Sequence, residues 1–148
     1  MANLIIIRGL PGSGKSTEAN KYVNLNNKTI HLEADMFFTK ETGEYEFDGQ
    51  FIHAAHRWCL DTAKVFLRQD YTVVVSNTFT VYSEMKDYII FAINNGIDVS
   101  VITMSNKYGS IHDVPVHAMT RMANRFMPHE DIMEYISKDS SIFSKNNS

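Results

Sequence analysis

Cysteine is almost missing from this chain. Its 148 residues hold one, Cys59, so no internal disulfide can form and a reducing compartment is expected. Long apolar runs are missing too. Leu4–Ile7 falls far short of the roughly 20 residues a membrane span needs and lacks the layout of a signal peptide, so the expectation is a soluble, cytoplasmic protein with no membrane partner. There is no basic excess: the formal net charge is −3. Proteins that wrap long nucleic acids by counterion release carry surplus positive charge, which argues against extended DNA binding but leaves room for a small basic cleft. Repeats and linkers are also lacking. With 44% hydrophobic and 21% charged residues, the length suits one globular domain, read as 1–136 followed by a polar C-terminal tail, 137–148.

What is present is an alternation of short β-branched runs with amphipathic segments. Residues 3–8, 29–35 (TIHLEAD), 71–77 (YTVVVSN) and 98–104 (DVSVITM) read as strands. Ser16 to about Leu25, Gln50–Gln69, Tyr82–Asn94, Val116–Phe126 and Asp131–Ile136 read as helices, and 36–49 as a turn or irregular hairpin. Along the helix from Gln50, the residues near helical spacing are Phe51, Ala54, Ala55, Trp58, Thr62, Val65 and Phe66. Such an order implies an α/β fold, a three-layer sandwich around a parallel sheet, with the ligand outside the carboxyl ends of the strands. Residues 9–16, 33–35 and 76–79 converge there.

The first of these segments, Gly-Leu-Pro-Gly-Ser-Gly-Lys-Ser, fits G-x-x-x-x-G-K-[ST] between a strand and a helix. Its glycines let successive N–H groups curl around phosphate oxygens, at the positive end of the following helix. Gly9, Pro11, Gly12, Ser13, Gly14, Lys15, Ser16 and Thr17 are therefore the candidate ATP-binding set. Lys15 supplies charge to the β and γ phosphates, and the Ser16 hydroxyl is the candidate Mg²⁺ ligand.

The loop alone names no reaction. A GTPase needs Asn-Lys-x-Asp to read guanine, and the chain has Asn106-Lys107 with Gly109 in place of the aspartate. A motor ATPase needs an acid closing the strand that holds its metal, where this chain has Ser76-Asn77. Both absences favour transfer to an acceptor other than water. That transfer calls for a carboxylate to take the acceptor's proton. Asp35, closing the second strand, is preferred as the base over Glu33, which a persisting strand would place on the same face. Arg121 and Arg125, four apart on one helix face, join the candidate ATP-binding and catalytic residues, gripping phosphate and neutralising its developing charge or lying on adenine, or else form a solvated face paired to Glu130 or Asp131.

The segments LIIIRGLPGSGKST, EADMFF…GEYEFD…AHRWC, VVVSNTFT…EMKDYI and HDVP…MTRMANRF resemble the small P-loop kinases related to the kinase domain of phage polynucleotide kinase. They are most similar to the single-domain AAA-type ATPase-like group, which includes the kinase-like domain of the Nedd-binding proteins. The resemblance spans about residues 3–127. It implies a P-loop NTPase of kinase type, a sheet in the order 2-3-1-4 and an arginine-bearing helical lid. It also implies transfer of the ATP γ-phosphate to a hydroxyl, with the base falling on Asp35, the loop lysine and serine on Lys15 and Ser16, and a lid arginine on Arg121 or Arg125. The chain departs from the polynucleotide kinase at Asn77, which replaces an acid, and at Phe79, which replaces an asparagine. It departs again at Met36-Phe37-Phe38, where the kinase carries a basic residue for the substrate phosphate.

Asn77, Phe79 and His56 are the candidate acceptor contacts, the last from the AHRWC segment, with packing as the alternative for each. His53 and His56 stand three apart, yet no third ligand is evident for zinc. Trp58 and Cys59 are read as core, and nothing marks Cys59 as an activated thiolate. The aromatics Phe37, Phe38, Tyr45 and Phe47 form either a stacking platform or a small apolar cluster bracing their loop. The function expected is an ATP- and Mg²⁺-dependent phosphotransferase whose acceptor is a polynucleotide 5′-hydroxyl or a nucleoside-type alcohol. The alternative is a nucleotide-binding regulatory protein of the same fold with little or no transfer.

Overall fold

Side chains alternate along a strand, and in Asn3–Arg8 (β1) both sides are dry. In the computed structural model, which describes residues 2–25, 27–105 and 116–146, Leu4 and Ile6 enter one buried cluster with Val73 and Val75. Ile7 packs on the opposite side with Val74 and Ala19. β1 lies between Thr72–Asn77 (β3) and Asp98–Thr103 (β4), and Thr29–Leu32 (β2) pairs with β3. All pairings are parallel, in the order β2-β3-β1-β4 implied by the resemblance.

Lys15–Val23 (α1) covers one face through Ala19. Ile52–Arg68 (α2) and Lys86–Asn94 (α3) cover the other, joined by Ile132 of His129–Asn146 (α5). Val116–Arg125 (α4) precedes α5. Helix α2 meets the sheet through Ala55, Cys59, Leu60, Ala63 and Leu67. Of the residues noted at helical spacing, Ala55 is in that set, whereas Phe51, Ala54 and Val65 are exposed. Trp58 and Phe66 flank that face, partly buried against the same core.

Three further elements depart from the sequence reading. The segment 29–35 is not strand throughout: β2 stops at Leu32, and Ala34–Phe38 turns into a 3₁₀ helix. The ladder ends because the Asn77 side chain, through Oδ1, accepts the Ala34 N–H (2.9 Å). Glu33 and Asp35 therefore do not share a strand face. The helix from Tyr82 is broken into a 3₁₀ turn, Tyr82–Glu84, and α3. The last helix is longer than Asp131–Ile136; it runs to Asn146 and takes in most of the segment read as a polar tail. Tyr82 anchors it by donating its hydroxyl to Asp139 Oδ2 (2.5 Å). Asn106, Lys107 and Gly109 lie outside the described residues.

Burial pushes the Tyr88 hydroxyl above its ordinary range, and it does the same to the neighbouring Cys59 thiol. The Tyr82 hydroxyl is raised by burial and then by Asp139. An acid that holds its proton more tightly in the fold contributes stability below its unfolded pKa, and that contribution is lost as pH rises. Denaturation midpoints are therefore expected to fall once the pH passes about 9–10. Tyr88→Phe should flatten that alkaline decline, as chemical denaturation at about pH 8 and about pH 10.5 would show.

Candidate active site

Residues 9–14 carry the chain from β1 into α1 at the carboxyl edge of the sheet. Gly9 donates its N–H to Thr78 O (3.3 Å), which ties the loop to the segment after β3. A Cβ at Gly9 would stand 2.3 Å from Ser13 Oγ and 3.0 Å from Met104 Cβ, so any other residue must push the Ser13 hydroxyl aside and crowd Met104. Gly14, at φ +90°, caps α1 from the left-handed region that favours glycine, and no side chain caps the helix there. The first-turn N–H groups of a helix have no partners within it, and such a helix start suits an anion. Gly9→Ala is expected to weaken nucleotide binding about tenfold or more, with about 1–3 kcal/mol lost from the fold. Nucleotide titration together with a thermal melt would check both.

Lys15 Nζ donates back to Leu10 O (3.1 Å). Burial lowers the affinity of this amine for its proton, and Glu33 partly restores it. Glu33 Oε2 accepts from Ser16 Oγ and from Ser76 Oγ, both at 3.1 Å. His31 Nε2 lies 2.6 Å from the same Ser76 Oγ. Burial holds His31 below the usual imidazole range against the pull of Glu33. Ser76 has one hydroxyl hydrogen and gives it to Glu33, which leaves His31 as the donor from Nε2.

Asp35 sits on the exposed side of the 3₁₀ turn, and Tyr45 donates to its Oδ1 at 2.5 Å. Tyr45 is held by its bridge with Thr39 and by an edge contact with Phe38. Phe38 is buried against Phe37 and Phe47 with ring centroids 5.4 and 4.9 Å away. The aromatics of the 36–47 loop thus brace it, while Phe37, Tyr45 and Phe47 stay partly open beside Asp35.

The acceptor candidates separate. Asn77 is buried, with Oδ1 on Ala34 N and Nδ2 3.9 Å from Cys59 Sγ, so it shapes the end of β2 from inside. Phe79 is only 2% exposed, yet it holds a left-handed backbone, φ +43°, and packs edge-on against Tyr88. Phe79, Thr78, His56, Arg57, Glu84 and Tyr88 are among the residues lining a cleft of ≈ 490 Å³ between α2 and α3. Burial holds His56 below the usual imidazole range, opposed by Glu84 and aided by His53. Among the described residues no group of three His, Cys, Asp or Glu side chains is placed to hold a metal, so the His53/His56 pair has no third ligand. Cys59 is buried with its thiol pKa raised, the opposite of an activated nucleophile.

The two arginines of α4 also differ. Arg125 donates through Nε to Thr80 Oγ1 (2.9 Å) and through Nη2 to Glu84 Oε2 (3.3 Å), so its partner is Glu84 rather than Glu130 or Asp131. Arg121 is exposed and lines a second cleft with Ala118, Met122 and Arg125. Sequence reasoning gave no role to His31, Ser76, Thr80 or Glu84. Nor did it assign one to Arg8, which is fully buried at the end of β1. The alternation that aligns His31 with Glu33 was readable in principle; the others meet partners distant in sequence.

A parallel sheet in this order, a glycine-rich phosphate loop opening α1, and carboxylates at the end of β2 define a P-loop protein with the fold of small kinases. The profile of the AAA_33 family, described as an AAA domain, matches residues 4–108, and the chain belongs to that family. It is similar to human NEDD4-binding protein 2, with 36% identity over 87 residues, covering 58% of this chain and 5% of that protein. The chain therefore spans only a small fraction of that relative's length. In fold it is similar to a chain of the Pnkp1/Rnl/Hen1 RNA repair complex, with TM-score 0.58, 16% identity, and coverage of 98% of this chain and 46% of that one. It is likewise similar to the Mycobacterium tuberculosis APS kinase CysC in complex with AMPPNP and APS, with TM-score 0.53, 17% identity, and coverage of 81% and 67%.

Proposed function

We propose that this protein transfers the γ-phosphoryl group of ATP to a hydroxyl acceptor. The observation that carries the reading is the contact between the phosphate loop and the end of β2, where Ser16 meets Glu33 two residues before Asp35. The loop amides and Lys15 hold the triphosphate, and Asp35 takes the acceptor's proton as its oxygen attacks in line. Arg121 and Arg125 offset charge on the moving group once the lid lies over it, which requires Arg125 to leave Thr80 and Glu84. The hydroxyl of Ser16, with a carboxylate in contact, is a hard-oxygen donor set suited to Mg²⁺. When bound, that ion supplies charge neutralisation between the β and γ phosphates.

In this reading the acceptor occupies the cleft lined by His56 and Phe79, and Phe37, Tyr45 and Phe47, partly exposed on the loop after Asp35, offer ring faces for stacking. Between polynucleotide and nucleoside-type acceptors, charge favours the second. The loop beside Asp35 carries Glu41, Glu44, Glu46 and Asp48 against one Lys40, which is paired with Glu46. Such a rim repels a phosphate chain. Among the described residues no helix is long and apolar enough to cross a membrane, and a cytoplasmic location belongs to this proposal.

Incubation with γ-labelled ATP and a panel of nucleosides and 5′-hydroxyl oligonucleotides tests the proposal. Label is expected on a nucleoside-type alcohol, with oligonucleotides poorer as they lengthen at low salt. Label on water alone would favour a nucleotide-binding protein without transfer. That reading draws on the burial of Asn77 and the apolar Met36-Phe37-Phe38 segment.

A further inference from the structure

The strand that in motor ATPases closes with a metal-holding acid closes here with Ser76 and Asn77, and Asn77 is committed to Ala34 and Cys59 inside the fold. A negative charge nonetheless stands at that spot. It comes from the neighbouring strand, through Glu33, whose Oε2 touches both Ser76 and Ser16. We infer that Glu33 is the carboxylate of the metal's coordination sphere, moved from the end of β3 to the end of β2, with Ser76 as its seat.

Three observations carry this. Ser16 gives its hydroxyl hydrogen to Glu33, so its oxygen lone pairs are turned away from the carboxylate, the orientation a hydroxyl needs to ligate a cation. Ser76 gives its hydrogen to the same oxygen while receiving one from His31, so the network converges on a single negative atom. Asp35 is directed elsewhere, to Tyr45, and is not part of this network. The two carboxylates at the end of β2 therefore divide the work: Glu33 at the cation, Asp35 at the acceptor. Side chains that orient metal ligands typically change metal affinity by about 10–100-fold when removed.

The inference rests on the nucleotide-binding half of the proposed function but not on transfer, so its test reads the cation directly. Mn²⁺ serves as the probe, and its affinity for the protein–ADP complex is measured by paramagnetic resonance on the full chain. Glu33→Gln is expected to weaken Mn²⁺ about 10–100-fold while metal-free ADP binds within about threefold of its unsubstituted affinity. Adding Ser76→Asp to that variant returns an acid to the end of β3 and should restore Mn²⁺ affinity to within about fivefold. Unchanged Mn²⁺ affinity in Glu33→Gln, or a double variant no better than the single, would overturn the inference. A thermal melt reports whether Glu33→Gln folds. If it does not, Ser76→Asp alone places a second carboxylate at the site and should tighten Mn²⁺ about tenfold, and no tightening would overturn the inference. A chain showing Glu33-dependent Mn²⁺ binding but labelling no acceptor would sink the kinase proposal and leave this one standing. A working kinase indifferent to Glu33 would do the reverse.

Discussion

Asp35→Asn is expected to lower phosphoryl transfer by about 10²–10⁴-fold while ATP binding stays within about threefold, the size of effect a positioned general base supplies. The substitution keeps the shape of the side chain and its contact with Tyr45, but removes the basicity that accepts the acceptor's proton. Because Asp35 lies outside the Ser16–Glu33–Ser76 network, nucleotide and cation affinity should barely move. Filter binding with ATP and single-turnover transfer, run on the same preparation, separate the two. Loss of both together would make Asp35 part of the nucleotide site. Tyr45→Phe is a useful companion: it frees the carboxylate without neutralising it and should cost transfer far less.

Arg8→Ala is expected to cost stability the most, about 3–5 kcal/mol. Arg8 is fully buried, yet among the described residues none of its hydrogen-bond partners is a carboxylate. Its guanidinium donates to the carbonyls of Phe79 (2.9 Å), Thr80 (3.2 Å) and Met127 (2.7 Å), and to Thr103 Oγ1 (3.2 Å). It also lies 4.0 Å from the centroid of the Phe126 ring. Burial draws its pKa down to about 10, with Glu84 resisting, so it stays charged at neutral pH. Truncation to alanine strips the Phe79 and Met127 carbonyls of their Arg8 donor, leaves Thr80 O with the Met127 N–H alone, and opens a void beneath Phe126. It also frees Phe79 from the bond that helps to hold its left-handed backbone. Since domains of this size are stable by about 5–15 kcal/mol, the variant should melt about 10 °C or more lower. Arg8→Lys keeps the charge but cannot fork to several carbonyls or stack on Phe126, so it should recover only part of the loss. Calorimetry on the three proteins would check the order.

These two residues mark how far the sequence could be read. Asp35 could be proposed as the base from a local segment alone: a short stretch closing in acids, in a chain whose phosphate-loop spacing carries its own mechanism. The strand order and the phosphate loop were accessible on the same grounds, the first through resemblance and the second through chemistry. Arg8 was not. It stands in an apolar strand, and its meaning depends on carbonyls 71, 72 and 119 residues away. Glu33 was visible but misplaced. Extending β2 to residue 35 put it on one face with Asp35, whereas Asn77 ends the ladder and sends the two carboxylates to different partners. The buried face of α2 was also read only in part: Trp58 and Phe66 do pack on the core, but the fully buried row is Ala55, Cys59, Leu60, Ala63 and Leu67, while Phe51, Ala54 and Val65 are exposed.

The central claim is that a cradle of main-chain amides holds a triphosphate so that its terminal group faces Asp35 across one cleft. A crystal structure of the chain with AMPPNP, Mg²⁺ and a nucleoside is the most direct measurement. The acceptor hydroxyl is expected within about 3 Å of the Asp35 carboxylate and in line with the γ-phosphorus at about 3–3.5 Å. A nucleotide seated in the loop with Asp35 still on Tyr45, turned to solvent and remote from the γ-phosphate, would contradict it.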